Sequence, residues 1–215
     1  MTAAALRQSA DNGARNGAQG FASRRFYDAA SGAWMVKVFP GEFYVTSRAD
    51  EVLVTVLGSC VAACIRDPYK GIGGMNHFML AQSNSGGWGG IAQSTRFGNF
   101  AMEKLINELL KAGCSRSSLE IKVFGGGNVT DTRNEIGTDN ADFVLRYLDA
   151  EGLRCAAQDL GGQWPRRIHY SPATGKVVRR LLGGSEVYAV AREETEYASR
   201  VTARPVAGEI ELFND

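Results

Sequence analysis

Apolar positions along the chain fall into short runs separated by glycine, proline and polar residues, with few long amphipathic stretches. Residues 35–39 (Met-Val-Lys-Val-Phe) read as a strand closed by Pro40-Gly41, and residues 42–46 as a second. The β-branched run 51–57 has the look of a buried strand; Gly58-Ser59 breaks it, and small apolar residues resume over 60–65. Arg66-Asp67-Pro68-Tyr69-Lys70-Gly71 is a turn cluster, after which 72–80 returns as a strand. Phe100, Leu105, Ile106, Leu109 and Leu110 lie near a 3.6-residue period and predict a helix, with Asn99 as N-cap and Gly113 as stop. Residues 119–124 alternate as a half-buried strand ending at Gly125-Gly126-Gly127. A second helix is expected over 141–150, with Phe143, Val144, Tyr147 and Leu148 inward and Gly152 closing it; strands follow at 153–160, 166–171 and 176–182. Strands outnumber helices and tight turns join many of them. The expected fold is therefore α/β leaning to α+β, a mixed or antiparallel sheet core with packed helices.

Three segments are expected. Residues 1–34 are rich in Ala, Gly, Ser and Arg without periodicity and read as a disordered arm. Residues 35–184 carry the elements above. Residues 185–215 are polar, a short helix and loose tail in which Glu193, Glu194 and Glu196 read as a solvated face.

Composition narrows the function. Lys+Arg at 24 against Asp+Glu at 23 leaves +1 over 215 residues, so no charge excess serves sequence-blind nucleic-acid binding or a polybasic membrane hold. The uncharged, mostly apolar stretch 52–65 is well short of the ~20 apolar residues of a membrane span. The start of the chain has no signal-peptide core, and the four cysteines (Cys60, Cys64, Cys114, Cys155) are scattered rather than framework-like. A cytoplasmic setting with free thiols follows. Without a Walker A sequence, a GxGxxG helix start, HExxH or CxxC, neither cofactor nor metal is expected.

Imidazole chemistry rests on His77 or His169, the two histidines of the chain. A 60–80 hairpin turning at Pro68-Tyr69 pairs residues whose numbers sum to 137, which sets Cys60 opposite His77 on one face, with Cβ atoms ~4.5–5.5 Å apart. Gly73-Gly74 could host a bulge that shifts this register. An imidazolium lowers a thiol pKa from ~8.5 into the range ~3.5–7.5, and the thiolate attacks carbonyl carbon. Gly58 and Ser59 let the chain turn so that amides near Cys60 face an oxyanion. The alternative is that Cys60 is a small core residue and His77 a satisfied buried group. His169, between arginines, reads as structural, and Cys64, Cys114 and Cys155 as packing residues. The loop 86–90 (Gly-Gly-Trp-Gly-Gly) is either a substrate lip or a solvated loop.

The stretch 54–68 (VTVLGSCVAACIRDP), followed by 73–80 (GGMNHFML), closely resembles the CheD family of chemoreceptor glutamine deamidases. RFGNFAME at 96–103, KVFGGG at 122–127, Ile136-Gly137 with Asn140, and DLGG at 159–162 extend the resemblance in order over most of residues 36–182. It implies a hydrolase with a Cys-His-Thr triad on a fold similar to bacterial toxin deamidases. Carried over, Cys60 is the nucleophile and His77 the base that becomes the acid. Thr55 is the candidate third member; the family's threonine lies five or six positions before the cysteine, and the sixth here is Val54. Gly58, Ser59 and Asn76 are candidates for the oxyanion site or substrate lip. The implied partners are methyl-accepting chemoreceptors as protein substrate and a CheC-type phosphatase. A binding regulator without catalysis, or an esterase for receptor glutamyl methyl esters, are the other readings.

Overall fold

The computed structural model describes residues 24–80, 88–129 and 136–203. Within them the chain runs β1 (Arg24–Asp28), β2 (Ala33–Lys37), β3 (Phe43–Thr46), β4 (Glu51–Leu57), β5 (Val61–Asp67), β6 (Ile72–Asn76), α1 (Trp88–Lys111), β7 (Glu120–Gly125), α2 (Ile136–Ala150), β8 (Cys155–Leu160), β9 (Arg166–Ser171), β10 (Lys176–Leu181) and α3 (Ser185–Ala203). The strands form two five-stranded sheets, ordered β1-β2-β4-β9-β10 and β3-β6-β5-β7-β8. Both are mixed: β2 runs parallel to β4 and β7 to β8, and the other pairs are antiparallel. The mixed α/β expectation holds, with two stacked sheets.

Burial periodicity explains the stacking. In β4 the odd positions Glu51, Leu53, Thr55 and Leu57 are buried while the valines between them are half-buried, so one face alone points inward. β5 is buried on both faces. Its Ala62 and Cys64 join Leu53, Leu57, Ile168 and Tyr170 in a core between the sheets. Its Val61, Ala63 and Ile65 join Leu105, Leu109, Val144 and Leu148 in a core beneath α1 and α2. The order is thus sheet, sheet, helices. Cys60 belongs to the inter-sheet core, so the loop that carries the chain from the first sheet to the second also carries the thiol.

Four expectations need correction. The segment 1–34 is not disordered throughout: β1 pairs along β2, Arg25 stacks 3.9 Å over Trp34, and its guanidinium bonds the buried Glu51 carboxylate at 2.9 Å. One buried charge needing a partner orders a strand that composition reads as arm. Helix α1 begins at Trp88, not Asn99, and takes in 88–90 of the expected loop, whose residues 86–87 lie outside the described set. Phe100 is 59% exposed, while Gly98, Met102, Leu105 and Leu109 form the inward stripe; at Gly98 a side chain would strike Phe143 of α2. The β5–β6 hairpin pairs Cys64 with Met75 and Asp67 with Ile72, a sum of 139 rather than 137. Cys60 and His77 are therefore diagonal rather than directly opposite, and because the slip is even they keep a common face. Finally, α3 is a 19-residue helix whose Val190, Glu194 and Tyr197 are buried; the tail beyond 203 lies outside the described residues.

β7 ends at Gly125, where φ is +113° and a Cβ would collide with the Cys60 carbonyl. Gly152 has a φ of +62° but open space around it. Gly125→Ala is expected to lower unfolding free energy by about 2–3 kcal/mol and Gly152→Ala by about 1 kcal/mol, read from urea melts; equal losses would contradict the close approach.

Candidate active site

The site begins with the loop Gly58-Ser59-Cys60 between β4 and β5. Its carbonyls are all tied back: Gly58 O accepts from Gly127 N at 2.7 Å, Cys60 O from Gly126 N at 2.8 Å, and Ser59 O from Asn140 Nδ2 at 2.8 Å. A trans peptide points its N–H opposite its C=O. Anchoring Gly58 O and Ser59 O on one side therefore throws the Ser59 and Cys60 amides to the other, where the Gly58 amide joins them. The brace is itself held: Gly161 N donates to Gly125 O at 2.9 Å, Asn128 N to Gly162 O at 2.8 Å, and Leu80 N to Asn140 Oδ1 at 2.7 Å.

His77 follows β6, its main chain fixed by His77 N to Glu42 O (2.9 Å) and Gly41 N to His77 O (2.7 Å). Thr55 projects inward from β4 and lies 2.7 Å from His77 Nδ1 through Oγ1, which is also 2.7 Å from Val38 O. The carbonyl only accepts, so the hydroxyl proton goes to Val38, and Thr55 Oγ1 accepts from Nδ1–H. The proton sits on Nδ1, and Nε2 carries the lone pair. Nε2 is buried, without a partner among the described residues. The β4 alternation turns Thr55 inward, while Val54 faces away.

Chemistry-bearing atoms of Cys60, His77 and Glu194 all lie within 4.8 Å of one another. Glu194 corrects the solvated-face reading of the acidic run. It is 6% exposed and sits in the amide cradle: Oε1 accepts from Gly58 N (2.9 Å) and Cys60 N (3.0 Å), Oε2 from Ser59 N (2.7 Å) and Ser59 Oγ (2.8 Å). A signal was available, because Val187, Val190, Glu194 and Tyr197 follow one helical stripe and a carboxylate on such a stripe calls for a buried partner. The trio has donor types that suit a metal ion, yet both Glu194 oxygens are already committed to four N–H and O–H donors. Burial, then the charge and hydrogen bonding of Glu194, push the Cys60 thiol well above its ordinary value. Burial pulls the His77 imidazole down against the opposing charge of Glu194. In this arrangement the pair is neutral thiol and neutral imidazole.

Other expected residues fall elsewhere. Asn76 spends its side chain on Ala63 N (2.8 Å), Ala101 O (3.0 Å) and the Met102 sulfur (3.5 Å), so it ties β5 to α1 and does not line the site. His169 lies on β9 opposite Val54, on the outward face of the first sheet. Cys64 and Cys114 are buried free thiols, and Cys155 is half-buried.

Thiol, oriented imidazole, hydroxyl and converging amides are the parts that acyl transfer through sulfur requires. The family described as CheD chemotactic sensory transduction matches residues 79–181. A relative from Rhodopseudomonas palustris (strain BisA53), named "Probable chemoreceptor glutamine deamidase CheD", is 56% identical over 190 residues, 88% of this chain and 89% of its own. A protein of the same name from Hahella chejuensis is 45% identical over 88% of this chain and 90% of its own. The chain belongs to the CheD family. Among solved structures, the Bacillus licheniformis hypothetical protein YfiH aligns at 12% identity with a TM-score of 0.37, over 54% of this chain and 49% of that one.

With Cys60 covered, iodoacetamide at pH 8 is expected to label the half-buried Cys155 about tenfold or more ahead of Cys60 in peptide-resolved mass spectra. Prior labelling of Cys60 would contradict the closed geometry.

Proposed function

We propose that this chain is a cytoplasmic protein-glutamine deamidase acting on methyl-accepting chemoreceptors in chemotactic adaptation. Residues 35–184 serve as its catalytic unit, and a CheC-type phosphatase is a further binding partner. Membership in a family whose named relatives are chemoreceptor glutamine deamidases supports the substrate. The observation that carries the chemistry is the chain Val38 O, Thr55 Oγ1, His77 Nδ1, which leaves Nε2 bare on a ring that has a nitrogen within 4.8 Å of the Cys60 thiol, next to a cradle of amides.

The steps follow from those positions. His77 Nε2 takes the Cys60 proton as sulfur bonds to the substrate's carboxamide carbon. The carbonyl oxygen, gaining the electron pair, accepts from the Gly58, Ser59 and Cys60 amides. The imidazolium returns its proton to the amide nitrogen, the C–N bond breaks, and ammonia departs, leaving a thioester. Water then loses a proton to Nε2 and attacks, and sulfur leaves as the thiol. Net, carboxamide plus water gives carboxylic acid plus ammonia. Thr55 holds the ring tautomer throughout. Among the described residues no helix is long and apolar enough to cross a membrane.

A chemoreceptor cytoplasmic fragment incubated with the protein should gain roughly one dalton per converted glutamine with equimolar ammonia, and Cys60→Ala should produce neither. Methanol release from a methylated fragment without ammonia would overturn the amidase reading. Thr55→Val is expected to lower kcat about 10- to 100-fold, as loss of a buried hydrogen bond worth ~1–3 kcal/mol implies, while Thr55→Ser stays within a few-fold. Full activity in Thr55→Val would contradict the role given to the hydroxyl.

A further inference from the structure

The position of Glu194 raises a question that the catalytic chemistry does not answer: why the chain fills its own amide cradle. We propose that α3 is an internal product mimic, a helix of the chain that occupies the substrate's groove with Glu194 in the seat of the glutamate the reaction makes. This rests on the deamidase reading above and adds to it what occupies the site between turnovers.

Three observations converge. First, the contacts of Glu194 match those a product carboxylate needs. Its two oxygens take three main-chain N–H groups and the Ser59 hydroxyl, with the thiol and a ring nitrogen of His77 within 4.8 Å. A carboxamide offers one acceptor oxygen and an NH2 group that cannot accept, so it satisfies fewer of these donors. The cradle with α3 seated is complementary to glutamate rather than glutamine.

Second, the groove is cut for this helix. A Cβ at Gly58 would come within 2.6 Å of the Glu194 carboxylate, and one at Gly41 within 2.7 Å of the Tyr197 hydroxyl. The missing side chains make room for two α3 residues one turn apart. Gly41 also donates its amide to His77 O, so the seat of Tyr197 and the position of the imidazole share one segment.

Third, α3 is held in a way that permits release. Beyond the stripe Val190, Glu194, Tyr197, its anchors include the exposed pairs of Glu186 with Arg180 (2.9 Å) and Arg167 (3.5 Å), which contribute little in water. While seated, it covers the thiol, and Cys60 is fully buried. A substrate glutamine enters the amide cradle only by displacing Glu194, so α3 and the substrate compete for one place.

The decisive experiment makes the mimic a substrate. In Glu194→Gln the carboxamide lies where Cys60 attacks; hydrolysis consumes one water, releases one ammonia and restores glutamate at that position. The tryptic peptide 193–200 of the purified variant is expected to gain roughly one dalton over time, and to stay unchanged in Glu194→Gln combined with Cys60→Ala. In the same preparations, Glu194→Ala should raise the alkylation rate of Cys60 about tenfold or more over wild type, since it removes charge-assisted hydrogen bonds from the closed state. If Glu194→Ala fails to fold, Tyr197→Ala supplies the same reading. A peptide 193–200 of constant mass in Glu194→Gln, beside normal deamidation of a receptor fragment by the wild type, would overturn the product mimic and leave the proposed function standing. No deamidation of either would overturn the proposed function itself. Cys60 alkylation equally slow with and without the Glu194 side chain would also overturn the mimic.

Discussion

Every feature of the site depends on one constraint: the carbonyls of Gly58, Ser59 and Cys60 are each bonded away from the site. Peptide planarity then sends the Ser59 and Cys60 amides the other way, where the Gly58 amide joins them, and three partial positive charges converge at one point beside a thiol. Such a cradle attracts any carboxylate or developing oxyanion within reach. It is made before the substrate arrives, which is what lets it stabilise charge without reorganising. It is also why the chain must deal with its own acidic residues, and α3 supplies one at that point.

The bracing has a long reach in sequence and a short one in space. Gly126 and Gly127 follow β7, Asn140 lies on α2, and Gly161 and Gly162 follow β8. These are the glycine and asparagine motifs that accompany the nucleophile in the family resemblance, and their common purpose is visible only once they meet behind the loop. The stacking of two sheets gives the cluster of Thr55, His77 and Cys60 its shape. Thr55 comes from the first sheet, His77 from the end of a strand in the second, and Cys60 from the crossover between them.

Much of this is legible in the chain. The strands of the hairpin, the cysteine and the histidine are readable from apolar runs and from the chemistry of two rare residue types. The shared face of Cys60 and His77 survives a two-residue error in register because side-chain direction in a strand repeats every two residues. That the Thr55 hydroxyl faces inward is not decidable from Glu51–Leu57, since an apolar run hides which face is inward until the second sheet covers one of them. Phe100 misleads because its helix is longer than its glycine-rich start suggests, and the close approach of Gly98 to Phe143 outweighs local propensity. Glu194 escapes the sequence reading because charge runs on helices usually face water; its partners lie 134 to 136 positions earlier, beyond any local pattern.

In the native chain the Gly58, Ser59 and Cys60 amides point into one seat, where each is bonded to the Glu194 carboxylate. Residue-resolved amide hydrogen exchange of the native chain and of Glu194→Ala tests it most directly. The three amides should be protected in the native chain and should exchange much faster in the variant, while amides of β4 and β5 keep their protection. Equal protection of those three amides with and without the carboxylate would contradict it.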